Sequence, residues 1–517
     1  MNFSTLDYTV FIGYIFLMMG FGLWIANREK AETAKDYFLA SKSLPWWAVG
    51  GSLIASNISA EQFIGMSGSG YVVGLAIASY ELMAAATLVI VAKFFLPIFL
   101  IFCIYTMPQF LEERFDNRVR TGLAIFWVLL FVFVNITSVL YLGGLALKTI
   151  MGIPLMYSVV GLAIFAATFS IFGGLKAVVW TDVAQVVVLV FGGLLASVLV
   201  LQAVGGSFMG GMTTLLEKAP EKFDMILDRA NAEYINLPGI SVLIVGMWIA
   251  NIYYWGTNQY IIQRALAAKT LKEAQTGTVF AAFLKILLPL IIVIPGIAAF
   301  VLGAYIQKAD EAYPWVLNNY VTVGFKGLAF AALIAAIGSS LSSMVNSTST
   351  IFTMDIYKNL FNKGASEKQM VRIGQIAAGL SLVTGVIVAP LLGNLDQAFQ
   401  YIQEYTGFIS PGVVAVFLFG LFWKRTSTNA ALLVVIMAVA LSLGINVIVT
   451  DVQFMDRMGL CFLILSAIII VVSLLENKEA DKKAIAVDSN LFKTDQTFNL
   501  ASVAIFGILA VIYALLW

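Results

Sequence analysis

The stretch from Ser43 to Tyr71, SLPWWAVGGSLIASNISAEQFIGMSGSGY, is long enough to cross a bilayer, yet Asn57, Ser59, Glu61, Gln62, Gly65, Gly68 and Gly70 run through its middle. In hydrocarbon every backbone N–H and C=O must find its partner inside the protein. A polar, glycine-rich interruption therefore survives only against other helices or a water-filled cavity. Helices broken at mid-membrane are where transport proteins place a solute and its coupling ion.

The rest of the chain belongs to the same environment. With 61% hydrophobic and 11% charged residues in 517 and a mean hydropathy of +0.93, it lacks the charged surface of a soluble enzyme. Cys103 and Cys461 lie in apolar stretches and offer neither a disulfide framework nor a metal cluster. Histidine is absent, which removes zinc hydrolase, haem and Ser-His-Asp chemistry. Nothing points to an enzyme, to nucleic acid or to an obligate protein partner.

Apolar runs predict an all-α polytopic membrane protein with about fourteen transmembrane helices. They lie near 5–27, 46–70, 71–103, 119–150, 154–173, 183–204, 237–264, 274–306, 326–357, 370–393, 397–422, 427–448, 455–475 and 498–516. The first has no basic residue before it and is too long for a signal-peptide core, so it is expected to remain as a helix. Arg28, Lys30, Lys35, Lys42, Arg114, Arg118, Arg120, Arg264, Lys269 and Lys272 fall in alternate loops, as do the later basic clusters. Basic loops stay in the cytoplasm, so both termini are expected outside.

Five spans after the broken segment, the centre of 237–264 reads ANIYYWGTNQYIIQR, again polar and interrupted. Paired interruptions suggest an inverted repeat with the site between its halves. The expected arrangement is a single transmembrane domain with a five-plus-five inverted-repeat bundle. Residues 46–204 form the first repeat, 237–422 the second, and 5–27 and 427–516 are peripheral.

Lys285 and Glu81 sit about ten residues into their spans, on the order of 15 Å deep. A lone charge there costs about 2.5–3.5 kcal/mol, so it faces a cavity or a partner. Three readings are open: Lys285 reaching an interface, a structural Lys285–Glu81 pair, or the two hydrogen-bonding a polar solute with Asn57, Gln62, Asn251 and Gln403. In the last case Tyr80, Tyr254, Trp255, Phe399 and Met66 would close over the solute's apolar faces, Tyr254 through its ring and not its hydroxyl. No arginine lies away from the ends of these spans, which argues against a carboxylate solute and for a neutral, hydroxyl-rich one.

The run Ala336-Ile337-Gly338-Ser339-Ser340-Leu341-Ser342-Ser343 places hydroxyls at mid-span. Hard cations such as sodium take oxygen ligands; serines in membrane helices also bond back to their own carbonyls. Ser339, Ser342 and Ser343 share one helix face at i, i+3, i+4. Asp182, in Trp180-Thr181-Asp182, is placed to cap a helix over 183–204.

These segments, with VLYLGGLAL, GGLKAVVWTDVAQVV, SSMVNSTSTIFTMDIYK and AFQYIQEYTGFISPG, resemble the sodium/solute symporter family over nearly the whole chain, most of all its bacterial sugar-carrying members. The resemblance implies sodium-driven uptake of a hexose by alternating access across a bacterial inner membrane. Gln62, Glu81, Asn251, Lys285 and Gln403 would contact the sugar, Tyr254 would be the inner gate, and Met66 and Phe399 would lie on the outer side. Sodium would sit between the carbonyls of Ala55, Ile58 and Ala336 and the hydroxyls of Ser339 and Ser340. It also implies that members using two ions pair the further serines with the aspartate matching Asp182. Where galactose carriers of the family have SYEWMS this chain has SYELMA, with Leu82 for a tryptophan and Ala84 for a serine. That leaves the identity of the hexose open. Another neutral polyol such as myo-inositol, or a non-transporting solute sensor, is the alternative.

Overall fold

The computed structural model describes residues 4–28, 32–102, 104–237, 239–392, 398–477, 479–486 and 488–517, leaving out the side chains of Phe169, Phe172 and residues 398–402. Every regular element among them is helical, and one parallel bridge, Leu44 to Ala268, is the sole strand-like pairing. Among the described residues eleven helices, from Thr5–Arg28 to Gln496–Leu515, are long and apolar enough to cross a membrane. The other three expected spans coincide with helices that are short or broken. Residues 46–70 become α2 (Trp46–Asn57), a π-helical turn over Glu61–Met66, and α3 (Ser67–Val72). Residues 154–173 contain the short apolar helix Leu155–Thr168, and 237–264 hold Val242–Thr257 followed by a separate segment.

The first helix, α1 (Thr5–Arg28), lies against the bundle at its start and shows Phe16 and Leu17 outward. Next to α2 and α3 comes α4 (Ser79–Ile90), buried along nearly its whole length. A long helical stretch, α5 (Leu155–Gly205), is bent at Gly174, where φ is 57° and ψ −159°. The Tyr37 carbonyl lies 2.5 Å from where a Cβ would stand. Only glycine serves there, because L side chains avoid that backbone region and the space is taken.

The second interrupted region is α6 (Met247–Asn251), a π turn over Ile252–Thr257, an extended Asn258, and α7 (Gln259–Leu266). It is followed by α8 (Leu271–Val301) and α9 (Phe325–Ile351). α8 packs along α2, α3 and α4; its Gly296 lets the Ser67 carbonyl approach so closely that any side chain would collide. Such contacts hold membrane helices together, since lipid gives no hydrophobic drive between them. α9 is buried from Ala329 through Ile351, serines and threonines included, packed against α5 and α1. Its first turn is capped from outside: Asp7 of α1 accepts the N–H groups of Gly324 (2.8 Å) and Gly327 (2.9 Å). A carboxylate suits the positive end of a helix, whose first N–H groups otherwise lack partners. α10 (Ala398–Gly407) and α11 (Ser410–Phe422) complete the core.

Two of the basic residues assigned to inner loops turn inward. Arg114 donates to the carbonyls of Gly420 (2.9 Å) and Thr426 (3.0 Å), and Arg120 to Asp355 (2.8 Å). Cys461 is buried beside Ser442, 3.1 Å away, while Cys103 lies outside the described residues.

Candidate functional site

α2 stops because Ile58 turns extended, at φ −73° and ψ 110°. The break carries its own cap: the Ser59 N–H and hydroxyl both donate to Gln62 Oε1 at 2.9 Å, and the Glu61 N–H donates to Ser59 Oγ at 3.0 Å. Gln62 thereby gives its carbonyl to the break and has only its amide nitrogen to offer a solute. In the second region Asn258 is likewise extended, at φ −75° and ψ 125°.

Between the breaks lies a cavity that opens to solvent. Asn57, Gln62, Glu81, Asn251, Lys285 and Gln403, all six expected solute contacts, line it, together with Met66, Tyr80, Tyr254 and Trp255. The side chain of Phe399 lies outside the described residues. Lys285 is paired with Glu81 and also donates to Asn57 Oδ1. Their side chains are 1% and 4% exposed, so Lys285 does not reach an interface. The pair and the cavity wall are one structure.

From Asn57 the network continues: its Nδ2 donates to the Tyr254 hydroxyl (3.0 Å), which also accepts from Tyr260 (2.6 Å). The hydroxyl of Tyr254, a residue expected to act through its ring, thus links the two broken regions. Trp255 is less a lid than a platform, with Lys285 Nζ 5.1 Å from its ring centroid, a cation–π arrangement. Asn251 turns its amide nitrogen back to the Met247 carbonyl at 3.0 Å, which leaves its oxygen for the cavity.

Sequence reasoning missed several wall residues, among them Glu61, Asn135, Asn258, Tyr260 and Thr406. Glu61 Oε1, Asn135 Oδ1 and Asn258 Oδ1 are buried without a hydrogen-bond partner among the described residues. Asn135 had a signal, a lone amide within FVFVNITSV; polar residues so placed face a cavity more often than lipid. Ala84 lines the cavity too, so a serine there would have presented a hydroxyl.

The oxygen cluster lies directly behind the first break. The Ser340 hydroxyl reaches the carbonyls of Ser56 (3.0 Å) and Ile58 (3.1 Å). Ala55 and Ala336 are wholly buried on the same two elements, and the Ser59 N–H that would claim the Ala55 carbonyl goes to Gln62 instead. Ser339 does not join Ser340. It donates to Asp182 Oδ1 at 2.5 Å, because neighbouring residues of a helix point in different directions.

Asp182 is not a helix cap. It lies eight residues past the Gly174 bend, within α5, where Oδ2 accepts Ser52 (2.5 Å) and Ser56 (3.2 Å). Ser343 joins it through Ser56 Oγ, 2.8 Å away, whereas Ser342 bonds back to the Ser339 carbonyl at 2.9 Å. The residue the sequence reading misplaced most is Arg264. Counted with the inner loops, it is buried completely and stands 3.5 Å from Asp182.

A family model described as the sodium:solute symporter family matches residues 37–438. The chain is 52% identical, over 99% of its length and 98% of the relative's, to the sodium/glucose cotransporter of Vibrio parahaemolyticus. It is 34% identical to the human sodium/myo-inositol cotransporter 2 over 82% of this chain and 67% of that protein. A Na+-coupled sialic acid symporter, solved in a substrate-bound outward-open state, superimposes with a TM-score of 0.82 at 25% identity, covering 92% of this chain and 98% of that one.

Proposed function

Since this chain belongs to the sodium:solute symporter family, we propose that it is a sodium-coupled symporter importing a neutral monosaccharide across a bacterial inner membrane by alternating access, with both termini outside. The observation that carries the reading is the juxtaposition at one helix break. Asn57 and Gln62 face the cavity while Ser56 and Ile58 present carbonyls to Ser340. An ion bound by Ala55, Ile58, Ala336 and Ser340, with Ser339 once it leaves Asp182, ties α2 to α9 and fixes the strand of chain whose other side meets the sugar. Sugar binding and ion binding then favour the same arrangement, which is what coupling requires.

Within the cavity the neutralised Lys285–Glu81 pair offers donors and acceptors without net charge, suited to sugar hydroxyls. Gln62, Asn251 and Gln403 supply amide groups, Tyr254 and Trp255 aromatic surface. Transport and not catalysis follows from the family. The three broken or short helices at 46–70, 154–173 and 237–264 complete fourteen crossings as two inverted five-helix repeats, 46–204 and 237–422, within one domain. Asp182 and Ser343, with Ser342 after rotation, form a second cation site; Met66 lies on the outer side of the sugar.

One ion moving through about 100 mV yields about 2.3 kcal/mol, and a tenfold gradient about 1.4 kcal/mol. That supports several-hundredfold accumulation per ion. Uptake of labelled glucose, galactose and myo-inositol into proteoliposomes, under an inward sodium gradient and with potassium replacing sodium, tests the reading. Hexose accumulation that requires sodium is expected, and equal rates in potassium would defeat it. Ala84, with no hydroxyl, and the likeness to a myo-inositol carrier favour the polyol as the second reading; uptake confined to myo-inositol would select it.

A further inference from the structure

The oxygens that a second cation would need are already engaged by a positive charge of the protein itself. Arg264 Nε donates to Ser52 Oγ at 3.1 Å, its terminal nitrogens donate to the Ser343 hydroxyl and the Tyr260 carbonyl, and one lies 3.5 Å from Asp182 Oδ2. Ser52 and Ser56 meanwhile donate to the carboxylate, and Ser339 holds its other oxygen. The side chains of Arg264 and Asp182 are both 0% exposed, so bulk solvent does not reach them. A sodium ion requires lone pairs aimed at it, and hydroxyls accepting from a guanidinium have turned theirs away. Charge leads to the same exclusion. Asp182 and Arg264 together are neutral, and a further cation beside them would set two positive charges against one carboxylate in a medium where such repulsion is strong.

The location of Arg264 gives the exclusion a mechanical meaning. It stands on α7, just beyond the Asn258 break, and there holds α7 to α2 through Ser52 and to α9 through Ser343. One turn earlier on the same helix, Tyr260 donates to the Tyr254 hydroxyl on the cavity wall. We propose that Arg264 is a tethered cation filling the second ion site in this state, and that sodium reaches Asp182 only by displacing it, releasing α7 from α2 and α9. This rests on the second cation site proposed above. Ion occupancy at Asp182 is then reported to the sugar cavity by the freedom of one short helix.

The test uses the full-length protein purified in nanodiscs, with 22Na+ binding measured at constant ionic strength in choline chloride for the native protein, Arg264→Gln, Asp182→Asn and the double variant. Arg264→Gln is expected to bind the second sodium at least tenfold more tightly than the native protein, Asp182→Asn to bind one ion fewer, and the double variant to show no gain. If Arg264→Gln leaves affinity unchanged while Asp182→Asn still loses an ion, the tethered-cation proposal falls and the second site stands. If Asp182→Asn keeps the native ion count, the second site itself falls. Should Arg264→Gln fail to fold, the native protein decides: sodium, relative to choline, is expected to speed amide hydrogen exchange over residues 259–266, and unchanged exchange would overturn the proposal.

Discussion

Two of the buried acid–base pairs, Lys285–Glu81 and Arg264–Asp182, both bond to α2, the first through Asn57 and the second through Ser52, and they are built differently. The first forms the wall of a cavity and keeps a neutral amide, Asn57, as its third member. The second is sealed, and serines from α2 and α9 fill the space around its carboxylate. A pair that lines a cavity can exchange water for solute hydroxyls while its charges stay balanced. A pair enclosed by serines can admit a rival cation only by giving up its own. The contrast shows that a buried ion pair takes its role from what surrounds it, since desolvation makes both pairs costly to break from one side.

Substitutions can break or sharpen that contrast. Lys285→Ala should act most strongly: sugar uptake into proteoliposomes falls at least a hundredfold, and the thermal midpoint drops because Glu81 is left buried and uncompensated, a loss of about 3–5 kcal/mol for such pairs. Near-native uptake would mean that the cavity-side pair is structural only. Gln62→Ala comes next, with a decrease of about tenfold or more, because one change removes both a cavity amide and the cap of the Ser59 break; each lost hydrogen bond is worth about 0.5–1.5 kcal/mol. Melting and uptake measured together separate its two parts, since loss of the cap lowers both and loss of the contact lowers uptake alone.

Tyr254→Phe should weaken sugar affinity by roughly three- to tenfold, the range of a single hydrogen bond, because it cuts the link from Asn57 to Tyr260. Tyr254→Ala, which also removes the ring, should cost more. Native affinity in the phenylalanine variant, measured by labelled-sugar binding, would restore the ring-only role. The smallest effect is expected of Ala84→Ser, which adds a hydroxyl to the cavity wall and should improve galactose uptake relative to glucose by a few fold. An unchanged ratio would show that position 84 does not read the sugar.

How much of this was legible in the sequence differs between the two pairs. The cavity-side residues announced themselves as polar letters in apolar spans: Asn57, Gln62, Glu81, Asn251 and Lys285 were each out of place in hydrocarbon, and hydrocarbon allows few reasons for that. The eleven long helices were legible for the same reason. The sealed site was only half legible. Asp182 and the serine run stood out, but Arg264 lies where a span meets basic residues, and linear hydropathy cannot tell an arginine that enters the loop from one that folds back under a break. Glu61 was hidden by its neighbour: two polar residues in a row do not reveal which faces the cavity, and the π turn brings both to it. That Ser339 and Ser340 diverge follows from any helix, but which of them meets Asp182 depends on the rotation of α9 about its axis, which packing against α5 and α2 sets and local sequence does not.

The cap that Asp7 places on the first turn of α9 ties a helix at the edge of the bundle to the most deeply buried long one. A displacement of the serine-bearing helix at that end would pull on the neighbour hydrogen-bonded to it, whose exposed side carries Phe16 and Leu17. Each turnover would then drag a strip of bilayer along with the ion-binding helix, so the viscosity and thickness of the host membrane become part of the resistance against which the protein cycles.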